Sequence, residues 1–74
     1  MEKYEFIHVS IHKKSKDYTL WEVSDGVNSR HVSVNVGKND MVNARTMVMN
    51  QLGEEGWHLG VSHFYNEFMM QRKK

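Results

Sequence analysis

Between Arg30 and Val61 the apolar residues change their spacing twice, and that change restricts the fold more than any other feature of the chain. In RHVSVNV, residues 30–36, Val32, Val34 and Val36 alternate with His31, Ser33 and Asn35. This is the two-residue period of a strand with one face buried. After GKND the period lengthens. Met41, Ala44, Val48 and Leu52 fall on one narrow stripe at about 100° per residue, with Met47 and Met49 on its shoulders, as an amphipathic helix requires. Asn39 or Asp40 can accept a hydrogen bond from an early helical N–H, so the helix is expected to start at Met41. From Trp57 the alternation returns, with Trp57, Leu59 and Val61 on one face. A strand, a helix and a strand in that order call for an antiparallel sheet with a helix laid on it.

The rest of the chain extends the sheet. YEFIHVSI, residues 4–11, places Ile7, Val9 and Ile11 opposite Tyr4, Phe6 and His8. HKKSKD, residues 12–17, reads as a solvated turn. YTLWEVS, residues 18–24, is rich in aromatic and branched residues, and Asp25-Gly26 marks a reversal because glycine tolerates positive φ. After the helix, Tyr65-Asn66 reads as a tight turn into EFMMQRKK, with Phe68 and Met70 on one face. The expected fold class is α+β: a single domain over residues 1–74, about five short antiparallel strands and one helix in the order β-β-β-α-β-β. Its expected core is Val32, Val34, Val48, Leu52, Trp57, Leu59 and Val61.

The junction QLGEEGWHLG, residues 51–60, has two glycines around two glutamates. Gly56 stands where a left-handed residue ends a helix before Trp57 starts the next strand. Gly53 costs roughly 1 kcal/mol relative to alanine in a last helical turn, which points to a close backbone approach there.

These residues also carry a resemblance. KYEFIHV at residues 3–9, LGEEGWHL at residues 52–59 and the closing EFMMQRKK resemble the small bacterial and phage family catalogued as domain of unknown function 4177. That family is similar in having an opening YEY strand, a helix ending in a Leu-Gly then Glu-Gly-Trp-Glu-Leu pattern, and a final hairpin with a basic end. His58 stands where the family has Glu, and the likeness covers about half the chain. The resemblance implies a small α+β fold and supplies no activity.

Length and charge narrow the functional classes. A chain of 74 residues buries only about 60% of its unfolded surface, too little for a large enclosed cleft. Ten Lys and Arg against nine Asp and Glu leave a net charge of +1, so any charge argument is local. There is no cysteine, which removes disulfides, thiolate metal sites and thiol catalysis. No apolar run approaches the roughly 18 residues of a membrane span, and MEKYEFIHV lacks the apolar core of a signal peptide. A soluble, cytoplasmic protein is expected.

Candidate chemistry is sparse. His8 and His12 lie four apart on a strand, about 13 Å from each other, and His58 and His63 have opposite parity. A metal site would need histidines from different strands, and none is expected. Glu54 and Glu55 diverge by about 100° on a helix and cannot converge on one substrate atom. The serines lie in no nucleophile motif. Neither catalytic residues nor a cofactor are expected, and the chain is not read as an enzyme.

Binding remains. One helix covers one sheet face, yet the first strand offers Tyr4 and Phe6 opposite its buried set, and the second offers Tyr18 and Leu20 opposite Trp21 and Val23. A leftover apolar face on so small a domain marks an interface. The expected function is that of a small protein-binding accessory module, of the phage type that modulates a host protein, with Tyr4, Phe6, Tyr18 and Leu20 as partner-binding residues. A homodimer would also stabilise a domain of this size. The alternative is nucleic-acid binding through the basic loop 12–16 and the C-terminal tail, by Lys13, Lys14, Lys16, Arg72 and Lys73.

Overall fold

A computed structural model of the protein describes residues 2–64 and 66–74, with only the backbone described at residues 63 and 64. Its elements are β1 (Tyr4–Lys14), β2 (Thr19–Ser24), β3 (Ser29–Val34), a short 3-10 turn (Lys38–Asp40), α1 (Met41–Gly53), β4 (His58–Phe64) and β5 (Glu67–Lys73). The five strands form one antiparallel sheet in the order β3-β2-β1-β5-β4. This is the α+β class and the element order that the spacing predicts. No helix among the described residues is long and apolar enough to cross a membrane.

The order has a geometric consequence for α1. β3 and β4 occupy opposite edges, so the chain between them must cross four strand spacings, about 19 Å at 4.8 Å each. The 13 residues of α1 span about 19 Å at 1.5 Å per residue. The helix is therefore long enough to bridge the sheet, and it touches both edge strands. Asp40 caps it, accepting from the Asn43 N–H at 3.4 Å and from the Asn43 side-chain amide at 2.7 Å.

Ala44, Val48 and Leu52 on α1 are fully buried against one sheet face. Register assembles that face into rows. Ile11, Trp21 and Val32 lie side by side across β1, β2 and β3, and Val23, Val9 and Phe68 across β2, β1 and β5. Met49 and Met41 pack partly against the core, whereas Met47 is exposed. Among the described residues Thr19 is the buried polar one, and its hydroxyl accepts from the Trp21 indole N–H at 2.9 Å, so neither group is left unpaired inside.

At the end of α1, the Trp57 N–H donates to the Leu52 carbonyl at 3.2 Å and the Gly56 N–H to the Gly53 carbonyl at 2.9 Å. These two bonds form a Schellman closure, and Gly56 has the positive φ, +94°, that it requires. At the other predicted reversal Gly26 has φ +97°, and the Asp25 carboxylate accepts from the Val27 and Asn28 N–H groups at 2.9 and 2.7 Å.

Four expectations need correction. His12, Lys13 and Lys14 are not turn residues: β1 continues through them, with a register shift between Ile11 and Lys13 that makes His12 a bulge. β3 ends at Val34, and Val36 packs on the core from the loop. Leu59 and Val61 are not core; they are 46% and 52% exposed. A register shift at Gly60 sets Leu59 opposite the buried Met70 but Val61 opposite Met69, so the two fall on different faces, and β4 is an edge strand. The close backbone approach expected at Gly53 is at Gly37 instead. A Cβ on Gly53 would meet nothing within 4 Å, whereas one on Gly37 would lie 1.7 Å from the Lys16 carbonyl oxygen. There the Lys38 N–H donates to the Ser15 carbonyl at 2.8 Å, tying the β1–β2 loop to the approach of α1. Of the expected Tyr65-Asn66 reversal, Tyr65 lies outside the described residues.

Candidate functional site on the open face of the sheet

The sheet face away from α1 is the surface to which the sequence points. Residues paired across antiparallel strands share a face, so the register identifies its members. Around the first half of β1 they are Tyr4 opposite Lys73 and Phe6 opposite Gln71. Tyr4 is 47% and Phe6 50% exposed. β2 pairs with β1 only from Ser24, opposite His8, onward, so among the described residues no strand lies beside Tyr4–Ile7 on that side. The notch is a shallow hollow of about 410 Å³ lined by Tyr4, Glu5, Phe6, Asp25, Val27 and Lys74. Val27, on the β2–β3 turn, is 89% exposed.

Tyr18 and Leu20, the other two expected partner-binding residues, are half-buried and sit at the far end of β1. Leu20 pairs with Lys13 and with Ser33, and the Lys13 ammonium lies 5.9 Å above the Tyr18 ring. Phe6 and Lys13 are seven residues apart on one strand, about 23 Å at 3.3 Å per residue. The polar side chains of His8, Ser10, Glu22 and Ser24 intervene, with His8 Nε2 3.0 Å from Glu67 Oε1. The four expected residues thus form two apolar ends separated by a polar band.

The band holds a cluster assembled from three strands. Glu22 on β2 pairs with His31 on β3, whose Nε2 is 3.7 Å from Glu22 Oε2. The His12 ring, at the β1 bulge, lies 4.5 Å from the His31 ring, centre to centre. One ligand atom from each of His12, Glu22 and His31 lies within 4.8 Å of the other two. Sequence spacing compared histidines within a strand and so could not register a convergence that depends on strand order and a bulge.

The basic residues divide between the two ends of β1. Lys13, Lys14 and Lys16 are exposed at one end. Arg72 and Lys73, near Tyr4 and Glu5 at the other, are engaged with neighbours. The Arg72 guanidinium lies 4.2 Å from the Trp57 ring centre, its Nε is 3.3 Å from a Glu5 carboxylate oxygen, and its Nη1 donates to the Glu55 carbonyl at 2.7 Å. Lys73 Nζ donates to Glu2 at 2.8 Å. That bond, with a second from the Tyr4 hydroxyl, lowers the Glu2 carboxyl pKa below its ordinary value. The Asp25 carboxyl is lowered too, by the Asn28 and then the Val27 N–H groups. Glu55 meets Arg30 at 2.5 Å, and both side chains remain about half exposed.

Compared with family models, curated proteins and solved structures, the chain matches none.

Proposed function

We propose that the protein acts by binding another protein through the open sheet face, and that Tyr4 and Phe6 are the anchors. The observation that carries this reading is the half-paired β1. At Tyr4–Ile7 two exposed aromatic side chains stand beside a strand edge that β2 does not cover. Such an edge offers backbone donors and acceptors to an extended segment of a partner, while aromatic side chains at alternate positions supply apolar contact. Val27 on the β2–β3 turn adds an exposed apolar side chain to the same hollow, which Glu5, Asp25 and Lys74 also line. The role is that of an accessory module that modulates its partner, in the manner of a phage protein acting on a host protein, and it involves binding rather than catalysis. The likeness to the domain-of-unknown-function family adds no activity to this reading.

The test is affinity capture from the source cell by the wild-type protein and by a Phe6→Asp variant, with circular dichroism to verify that the variant is folded. A specific partner should be retained by the wild type and lost with Phe6→Asp, and the purified pair should reproduce the difference. Equal retention by both proteins, or no partner at all, would overturn the proposal.

A further inference from the structure

We infer that His12, Glu22 and His31 form a site for a divalent transition-metal cation of the zinc class on the open sheet face. The site is separate from the Tyr4–Phe6 notch and does not rest on the protein-binding reading. Each residue comes from a different strand, and each is placed by a feature of the sheet rather than by its own flexibility. Register sets His31 directly opposite Glu22. The bulge between Ile11 and Lys13 re-aims His12, bringing its ring to 4.5 Å from that of His31.

The spacing suits a metal. Donors around a tetrahedral zinc, with metal–ligand distances near 2.0–2.1 Å, lie about 3.3 Å from one another. One donor pair is already at 3.7 Å, His31 Nε2 to Glu22 Oε2, and all three donors fall within 4.8 Å. Movements of about 1 Å would close the set, and the half-exposed side chains of Glu22 and His31 have room for them. Lys13, next to His12 in the chain, has its ammonium over the Tyr18 ring.

Donor type selects the cation. Two imidazoles and one carboxylate favour zinc, nickel or copper, while magnesium and calcium prefer all-oxygen sites. Three protein ligands leave at least one coordination position open toward solvent, so binding should be weaker than at a closed four-ligand structural site.

The test is calorimetric titration of the full chain with zinc chloride, alongside H12A, H31A, E22Q and the control H8A. Wild type and H8A should bind one equivalent. H12A and H31A should each lose at least tenfold in affinity, with a smaller loss for E22Q. Because removal of a side chain can disturb a strand, amide NMR of the wild-type protein supplies the second reading: zinc should shift signals around His12, Glu22 and His31, and magnesium should not. Absence of saturable zinc binding, retention of wild-type affinity in H12A and H31A, or shifts centred on other histidines would each overturn the site.

Discussion

Gly37 and Gly53 each stand at the edge of an element, and helix propensity singles out Gly53, the wrong one, as the site of a close approach. Gly37 has an ordinary extended backbone, φ −79° and ψ 174°, so its need for glycine comes from space. Lys16 occupies the position a Cβ would take. Gly37→Ala must push the β1–β2 loop away and strain the Ser15–Lys38 hydrogen bond, a cost of about 1–3 kcal/mol. Gly53→Ala meets open space in helical backbone and should stabilise the protein by about 0.4–1 kcal/mol. Urea denaturation of the two variants should therefore move in opposite directions, and a Gly37→Ala midpoint at or above wild type would contradict the close approach. Gly56 is a third case, where φ decides. At +94° a valine adds strain of about 1–2 kcal/mol, whereas Glu55→Gln weakens an exposed ion pair with Arg30 that is worth at most about 1 kcal/mol. Gly56 could be read from its position before Trp57; the constraint on Gly37 could not, because the residue that imposes it lies 21 positions earlier on another loop.

Elements were legible where one period ran without interruption. The stripe Ala44, Val48 and Leu52 is buried as its spacing requires, and Leu52→Ala should cost about 2–5 kcal/mol through the lost contacts and the cavity left between α1 and the sheet. An unchanged thermal midpoint for that variant would remove Leu52 from the core. β4 is the opposite case. Its alternation Trp57, Leu59, Val61 looks as regular as that of β3, but the extra residue at Gly60 breaks it, and a one-residue slip exchanges faces. Val61→Thr should accordingly change stability by no more than about 0.5 kcal/mol, where a buried valine would lose more. The β2–β3 turn adds a dependence on pH. The Asp25 carboxyl is lowered by the Asn28 and Val27 N–H groups that it accepts from. A carboxylate with a lowered folded-state pKa stabilises the fold above its unfolded pKa and loses that contribution as the pH falls through the folded one. Asp25→Asn should therefore differ from wild type at neutral pH and converge with it in acid, as read from denaturation midpoints across that range.

At the scale of the whole molecule, what the sheet separates matters as much as what it gathers. A sheet 11 residues long at β1 carries groups about 33 Å apart on its ends, at 3.3 Å per residue, and the protein is correspondingly elongated, 45 × 22 × 21 Å. Sequence composition alone treats Lys13, Lys14, Lys16, Arg72 and Lys73 as a pool of basic residues available to a phosphate backbone. The fold puts the three lysines at one end, and at the other it pairs Arg72 with Glu5 and Trp57, and Lys73 with Glu2. Each phosphate contact contributes about −0.9 to the slope of log affinity against log salt for duplex DNA. Five cooperating residues would give a slope of about −4.5, and the three lysines by themselves no steeper than about −2.7. We expect at most the shallower slope, seen as weak binding at low salt that Lys13→Ala with Lys14→Ala removes and that neutralising Arg72 and Lys73 leaves unchanged. A slope near −4.5 that flattens when Arg72 and Lys73 become glutamines would mean that DNA can recruit both ends of the sheet, and the assignment of Arg72 and Lys73 to intramolecular pairing would then fail.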